Sequence, residues 1–221
     1  MDLTDKPATH YPTSGAKCAD LVVHIIGLAF ALFGGGILLG LSVGFGTLGQ
    51  TAAIAIYAVG MMTMLGCSLA YNFGKRHWRP VLRRFDHAGI FLMIAGSYTP
   101  FTTQNLTGAW SLGMTAGVWT LATLGIAGKL FLPGLGRGFW VALYVALGWI
   151  VLVAIKPMID GMSWVALLLL GIGGLIYSTG VIFYLMKTFH FRRAVWHGHV
   201  VAGAAVQYAA VMVGVVFAGS H

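Results

Sequence analysis

Seven long apolar stretches joined by short polar connections constrain this chain more than any other feature. They run from Leu21 to Gly44, Gln50 to Tyr71, His87 to Gln104, Leu112 to Leu130, Gly138 to Ile155, Trp164 to Met186 and Trp196 to Gly219. Roughly 17 to 25 helical residues cross a hydrocarbon layer of about 30 Å, so each stretch is long enough to be a membrane span. None alternates apolar and polar residues with period two, as the strands of a membrane barrel do, so the spans are read as helices. Only 8% of residues are charged and Glu is absent, against about a quarter charged in a soluble domain. Soluble enzymes, nucleic-acid-binding modules and disulfide-stapled secreted domains are thereby excluded. The expected fold is an all-α membrane protein, a seven-transmembrane-helix bundle with a tail over residues 1–20 and one domain over residues 21–219.

Orientation follows from Lys and Arg on alternate connections. Lys6 and Lys17 precede span 1. Lys75, Arg76, Arg79, Arg83 and Arg84 lie between spans 2 and 3, Lys129 and Arg137 between 4 and 5, and Lys187, Arg192 and Arg193 between 6 and 7. Only Lys156 falls on the other side. Under the positive-inside rule this predicts a cytosolic N-terminus, an outer C-terminus and a bacterial inner membrane as the location. The net charge of +8 is thus a topology signal, and no nucleic-acid partner is expected. Cys18 and Cys67 fall on the reducing side, where a disulfide would not persist.

Ionisable groups inside apolar spans are costly and each needs a partner or a function. Asp20 and His24 share a face at the start of span 1, Ser68 and Asn72 at the end of span 2, and Arg193 and His197 at the start of span 7, each pair four residues apart. Asp86 and His87 open span 3. With the predicted topology all lie at the cytosolic end, which suggests a shared polar pocket between spans 1, 2, 3 and 7. His199 follows His197 by two residues and points away on a helix. A retinal protein would need a lysine in mid-span, and Lys129 and Lys156 sit at span ends. A haem would need facing histidines at mid-depth, and a transporter would be expected to place charge or broken helices there; the chain has neither charge nor histidine at that depth.

The run Arg83-Arg84-Phe85-Asp86-His87-Ala88-Gly89-Ile90, continued by Ile94-Ala95-Gly96-Ser97-Tyr98-Thr99-Pro100-Phe101, resembles the signature of the hemolysin III family. That family belongs to the progestin and adiponectin receptor-like (PAQR) group of seven-helix proteins. The run from Gly173 to Tyr184 and the Trp196-His197 pair are similar to it too. The resemblance implies a cytosolic-side zinc site with one histidine from span 2 and two from a His-x-x-x-His in span 7. It further implies relatedness to lipid amidases such as ceramidases, in which a metal with an open position activates water.

At those positions this chain carries Asn72 and Arg193, leaving His197 alone, and Lys17 and Asp20 replace the Glu and Asn of the family pattern in span 1. An amide is a poor zinc ligand and a guanidinium is none. The expected function is therefore a lipid-binding or regulatory membrane protein without a cofactor, the family zinc site being lost. Arg193 is expected to stand in for the metal by pairing with Asp86 or Asp20. One alternative is a metal-dependent hydrolase of a lipid amide, with Ser68 and Asp86 catalytic and a zinc site rebuilt from His197, Asp86, His24 and Asp20. A further alternative is a pore-forming hemolysin. In each case the expected partner is a membrane lipid.

Overall fold

The computed structural model describes residues 10–132, 134–186 and 188–218. Among them all regular structure is helical. The helices are α1 (Ser14–Phe45), α2 (Leu48–Phe73), α3 (Arg79–Gln104), α4 (Gly108–Phe131), α5 (Arg137–Gly148), α6 (Ile155–Gly161), α7 (Trp164–Leu185) and α8 (Arg192–Val211). Short 3-10 turns cover Arg76–Trp78 and Ile150–Ala154, and a π-helical turn over Met212–Val216 extends α8.

Six helical segments are long and apolar enough to cross a membrane: α1, α2, α4, the α5-to-α6 stretch Arg137–Gly161, α7, and α8 with its extension. The third predicted span falls short on composition. Its helix α3 carries Arg79, Arg83, Arg84 and Asp86 in its first turns and ends on Thr102, Thr103 and Gln104. The protein is a multi-pass membrane protein, and its large exposed side chains, Phe33 and Leu124 among them, are those a lipid-facing surface requires.

Three helices start where hydroxyl caps place them. The Thr13 side chain accepts from the Ala16 backbone N–H and starts α1 at Ser14, seven residues before the apolar stretch that begins at Leu21. Thr47 and Ser163 cap α2 and α7 in the same way. The acidic tail residues Asp2 and Asp5, with Lys6, lie outside the described residues. The fifth predicted span is one stretch interrupted in the middle. Pro157 has no N–H for the carbonyl of Val153, and the Tyr98 hydroxyl of α3 fills in at the break, donating to Gly148 O at 2.7 Å and accepting from Val151 N at 3.0 Å.

The helices form a ring in which α1 packs on α2 and α8, α3 lies between α2 and α4, and α7 backs α8. The α2–α3 approach is the tightest and depends on glycine. A Cβ at Gly96 would sit 3.2 Å from Ile56 O, and one at Gly89 3.2 Å from Met64 Cα, so missing side chains let the two backbones meet. The middle of the ring is filled by Tyr57, Phe91, Phe101, Leu38, Ile54 and Met61, all fully buried. Ser42, Gln50, Thr99 and Thr102 are buried toward one end of the bundle, while the buried ionisable groups Asp20, His24 and Lys129 gather at the other. There the first turns of α1, α3, α5 and α8 meet the last turns of α2, α4 and α7.

Candidate functional site

The three pairs read from the sequence converge. Asp20 and His24 on α1 and Asn72 on α2 are almost wholly buried, Ser68 is buried, and His197 on α8 is mostly so. His197 Nδ1 lies 2.6 Å from Asp20 Oδ1 and donates to it, which leaves Nε2 pointing at Ser68 Oγ, 3.5 Å away. His24 Nδ1 donates to its own helix at Asp20 O, 2.8 Å, so its Nε2 accepts from the Ser68 hydroxyl at 3.1 Å. Asp20 thus positions both imidazoles, one through its carboxylate and the other through its carbonyl. Both rings direct Nε2 at the same serine oxygen, whose single proton can go to only one of them at a time.

Asn72 links this layer to a second one above it. Its Nδ2 donates to Ser68 O at 3.0 Å, while its Oδ1 accepts from Arg193 Nη1 at 3.0 Å and from His10 Nε2 at 3.1 Å. Arg193 also donates through Nε to His10 O at 3.2 Å and through Nη2 to His10 Nδ1 at 3.3 Å. The guanidinium therefore joins α8 to α2 and to the segment leading into α1. Tyr11, in that segment, donates its hydroxyl to Asp20 Oδ2 and lies under the guanidinium, 5.6 Å from ring to carbon. Burial and the neighbouring Arg193 charge hold the His10 imidazole down to about 4, and burial with its bond to Asp20 pushes the Tyr11 phenol up.

The expected pairing of Arg193 with Asp86 or Asp20 is corrected by this geometry. Among the described residues no carboxylate lies within 4.0 Å of Arg193. Both Asp20 oxygens are taken, by Tyr11 and His197, so the charged link between α8 and α1 runs through the histidine. His10 and Tyr11 were absent from the sequence reading, because nothing in a polar leader signals that it folds back over a pocket.

A cavity of about 220 Å³ adjoins the cluster. His24, Ser68, Asn72, Asp86, Arg193 and His197 form its polar end, and Val23, Leu65, Val141, Val181 and Val200 line it with apolar surface. His87 also reaches this cavity, but its ring nitrogen Nδ1 meets Lys129 Nζ at 3.1 Å, away from the cluster. His199 bonds to Val195 O and packs on Phe183 and Gly180 of α7, outside the site, as its offset from His197 predicts.

Metal-binding capacity follows from the donors. The three-histidine set of the resemblance does not fit, because Asn72 and Arg193 stand at two of its positions and are bonded to each other. A different set does come together: Asp20, His24 and His197 offer ligand atoms within 4.8 Å of one another. Asp86, expected in a rebuilt site, is outside that group, its carboxylate oxygen Oδ2 lying 3.9 Å from His87 Nε2. Hydrogen bonds already engage the Asp20 oxygens, through Tyr11 and His197, and His24 Nε2, through Ser68.

The profile of the family described as haemolysin-III related matches residues 18–208. The chain is 30% identical to the hemolysin-3 homolog of Bacillus subtilis (strain 168) over 89% of its length and 92% of that protein's. It is 33% identical to the hemolysin-3 of Bacillus cereus, covering 76% and 77% of the two chains. The human monocyte to macrophage differentiation factor is 27% identical over 71% of this chain and 67% of its own.

Proposed function

This chain belongs to the haemolysin-III related family, and from that premise we propose that it is a metal-free member that binds a membrane lipid in the cavity between α1, α2, α3, α5, α7 and α8. The observation that carries this reading is the Arg193–Asn72 bond of 3.0 Å. A fixed cation sits where the resemblance asks for zinc ligands, and it satisfies the acceptor beside it. The cavity combines an apolar wall for an acyl chain with a hydrogen-bonding end for a polar head group, the usual composition of a small-ligand site. With α3 counted as a crossing, the ring has seven crossings. Lys17, Arg76, Arg83, Lys129, Arg137 and Arg193 then stand at one end of the bundle and Lys156 at the other, which favours a cytosolic site in a bacterial inner membrane.

The test is to purify the protein without a His-tag in mild detergent, then measure metal by mass spectrometry and bound lipid by native mass spectrometry. Intact co-purified lipid without stoichiometric metal is the expected result, and Val200→Trp, which fills the cavity, should release the lipid. A stoichiometric metal that leaves with His197→Ala would overturn the metal-free reading.

A second reading is favoured by the Asp20, His24 and His197 cluster. These residues would hold a divalent metal, which when bound would supply water activation for hydrolysis of a lipid amide. Asp20 would orient His197, and Ser68 and Asp86 would line the substrate's path. Release of fatty acid from a ceramide-like amide distinguishes this from binding alone. Pore formation, suggested by the relatives' names, gains no support from the apolar filling of the ring, since a water-filled pore has a polar lining.

A further inference from the structure

We propose that a second cavity, between α3, α4 and α5, is a binding site for a phosphate-bearing anion. It measures about 250 Å³ and is lined by Arg83, Arg84, His87, Lys129, Arg137 and Trp140, with no carboxylate in its wall. The key residue is Lys129. It is only 7% exposed, in the last turn of an otherwise apolar helix, and its ammonium meets His87 Nδ1 at 3.1 Å and the ring faces of Trp140 and Tyr144 at 4.2 and 5.9 Å. Among the described residues no carboxylate lies within 4.0 Å of Lys129 or of the three arginines. The buried ammonium directly contacts only an imidazole and ring faces, and Asp86 acts on it from beyond 4.0 Å. With three guanidinium groups around the same space, one carboxylate leaves positive charge unbalanced, which is costly unless an anion completes it.

Helix geometry adds to the same field. Pro80 and Arg137, which both line the cavity, belong to the first turns of α3 and α5, so two helix N-termini with their positive partial charge border the space. Exposed Arg83, Arg84 and Arg137 form the mouth and buried Lys129 the floor. Planar guanidinium forks at a mouth with a point charge beneath match a tetrahedral dianion or the phosphodiester of a lipid. Basic pockets between membrane helices hold such head groups. Two sources share this chemistry: an anionic phospholipid, and inorganic phosphate in solution. The site does not depend on the first cavity holding a lipid, although the two adjoin and share Arg83, His87, Arg137, Val141, Tyr144 and Tyr184.

The experiment is thermal unfolding of the full chain in uncharged detergent at low salt. It is titrated separately with inorganic phosphate, short-chain phosphatidylglycerol and short-chain phosphatidylcholine. Phosphatidylglycerol is expected to raise Tm saturably and phosphatidylcholine to leave it unchanged. In the double variant Arg84→Gln, Arg137→Gln, whose changes are on exposed side chains, affinity should fall by roughly tenfold or more, the loss of one or two charge-assisted bonds. Lys129→Gln should be at least as stable as the parent without ligand and insensitive to it. A response to phosphate as well assigns the site to the free anion; a response to the lipid alone assigns it to the head group. No shift with either anion, an equal shift with phosphatidylcholine, or an unchanged response in the double variant would overturn the proposal.

Discussion

The imidazole of His197 on α8 is held by the carboxylate of Asp20 on α1, with 2.6 Å between Nδ1 and Oδ1, across 177 residues of chain. Asp20 is fully buried and spends its other oxygen on Tyr11. This contact joins the last span to the first and closes the ring at its polar end. Asp20→Asn keeps the shape but loses the charge-assisted bonds. It should cost about 1.5–3 kcal/mol, the range for hydrogen bonds to charged groups, read as a lower Tm in detergent. A change within a few tenths of a kcal/mol would mean that the contact does not hold the helices together.

Placing histidine at the two positions where the resemblance implies zinc ligands tests the proposed metal-free reading. In the double variant Asn72→His, Arg193→His, the guanidinium is gone and three imidazoles can share a metal. Near-stoichiometric zinc is expected there and not in the parent. Neither single variant should suffice, because each leaves a non-ligand in the set. Equal zinc in parent and double variant would contradict the role given to Arg193.

The leader segment should respond to acid. His10 in place has a pKa of about 4, below its ordinary 6.5, because it is buried and faces Arg193, with Arg79 adding to the effect and Asp20 and the Asn72 bond opposing it. The docked segment therefore prefers the neutral ring. Docking is unaffected above about pH 6.5 and weakens as pH falls from there toward 4, when protonation sets a new N–H against the Arg193 donor. Amide exchange of His10, Tyr11 and Thr13 at pH 7.5, 6 and 4.5 measures this, and His10→Asn should flatten the response. Uniform protection across that range in the parent would count against it.

The α2–α3 contact predicts intolerance of side chains. Gly96→Leu would force the helices apart at the backbone of Ile56, and a loss of about 1–3 kcal/mol is expected from overpacking. Gly36→Leu, at a position with open space around it, is the control and should leave Tm nearly unchanged.

The proposed topology of seven crossings with the polar cluster on the cytosolic side predicts a labelling pattern. In a background with Cys18 and Cys67 replaced by Ser, a cysteine in place of Thr107 or Ser163 should react with a membrane-impermeant maleimide added outside intact cells. A cysteine in place of Arg76 or Arg137 should react only after lysis. If α3 did not cross, Thr107 and Arg76 would behave alike.

The local patterns visible in the sequence reached a long way. Apolar runs, the spacing of four within each polar pair and the side on which Lys and Arg accumulate depend only on residue order and helix period, so the helical membrane fold and the residues of the cluster could be read directly. The motifs around Asp86 and Gly180 carried the family. The tertiary structure decided which groups actually face each other. It gave Asp20 to His197 and Tyr11 rather than to Arg193, turned His87 toward Lys129, left Asp86 outside the ligand group, and folded His10 over Asn72. Those outcomes depend on how far each helix is rotated about its axis and on where a capped leader starts the first turn. Both are set by packing between distant parts of the chain, such as the glycine-mediated approach of α2 to α3, so no local pattern in the sequence encodes them.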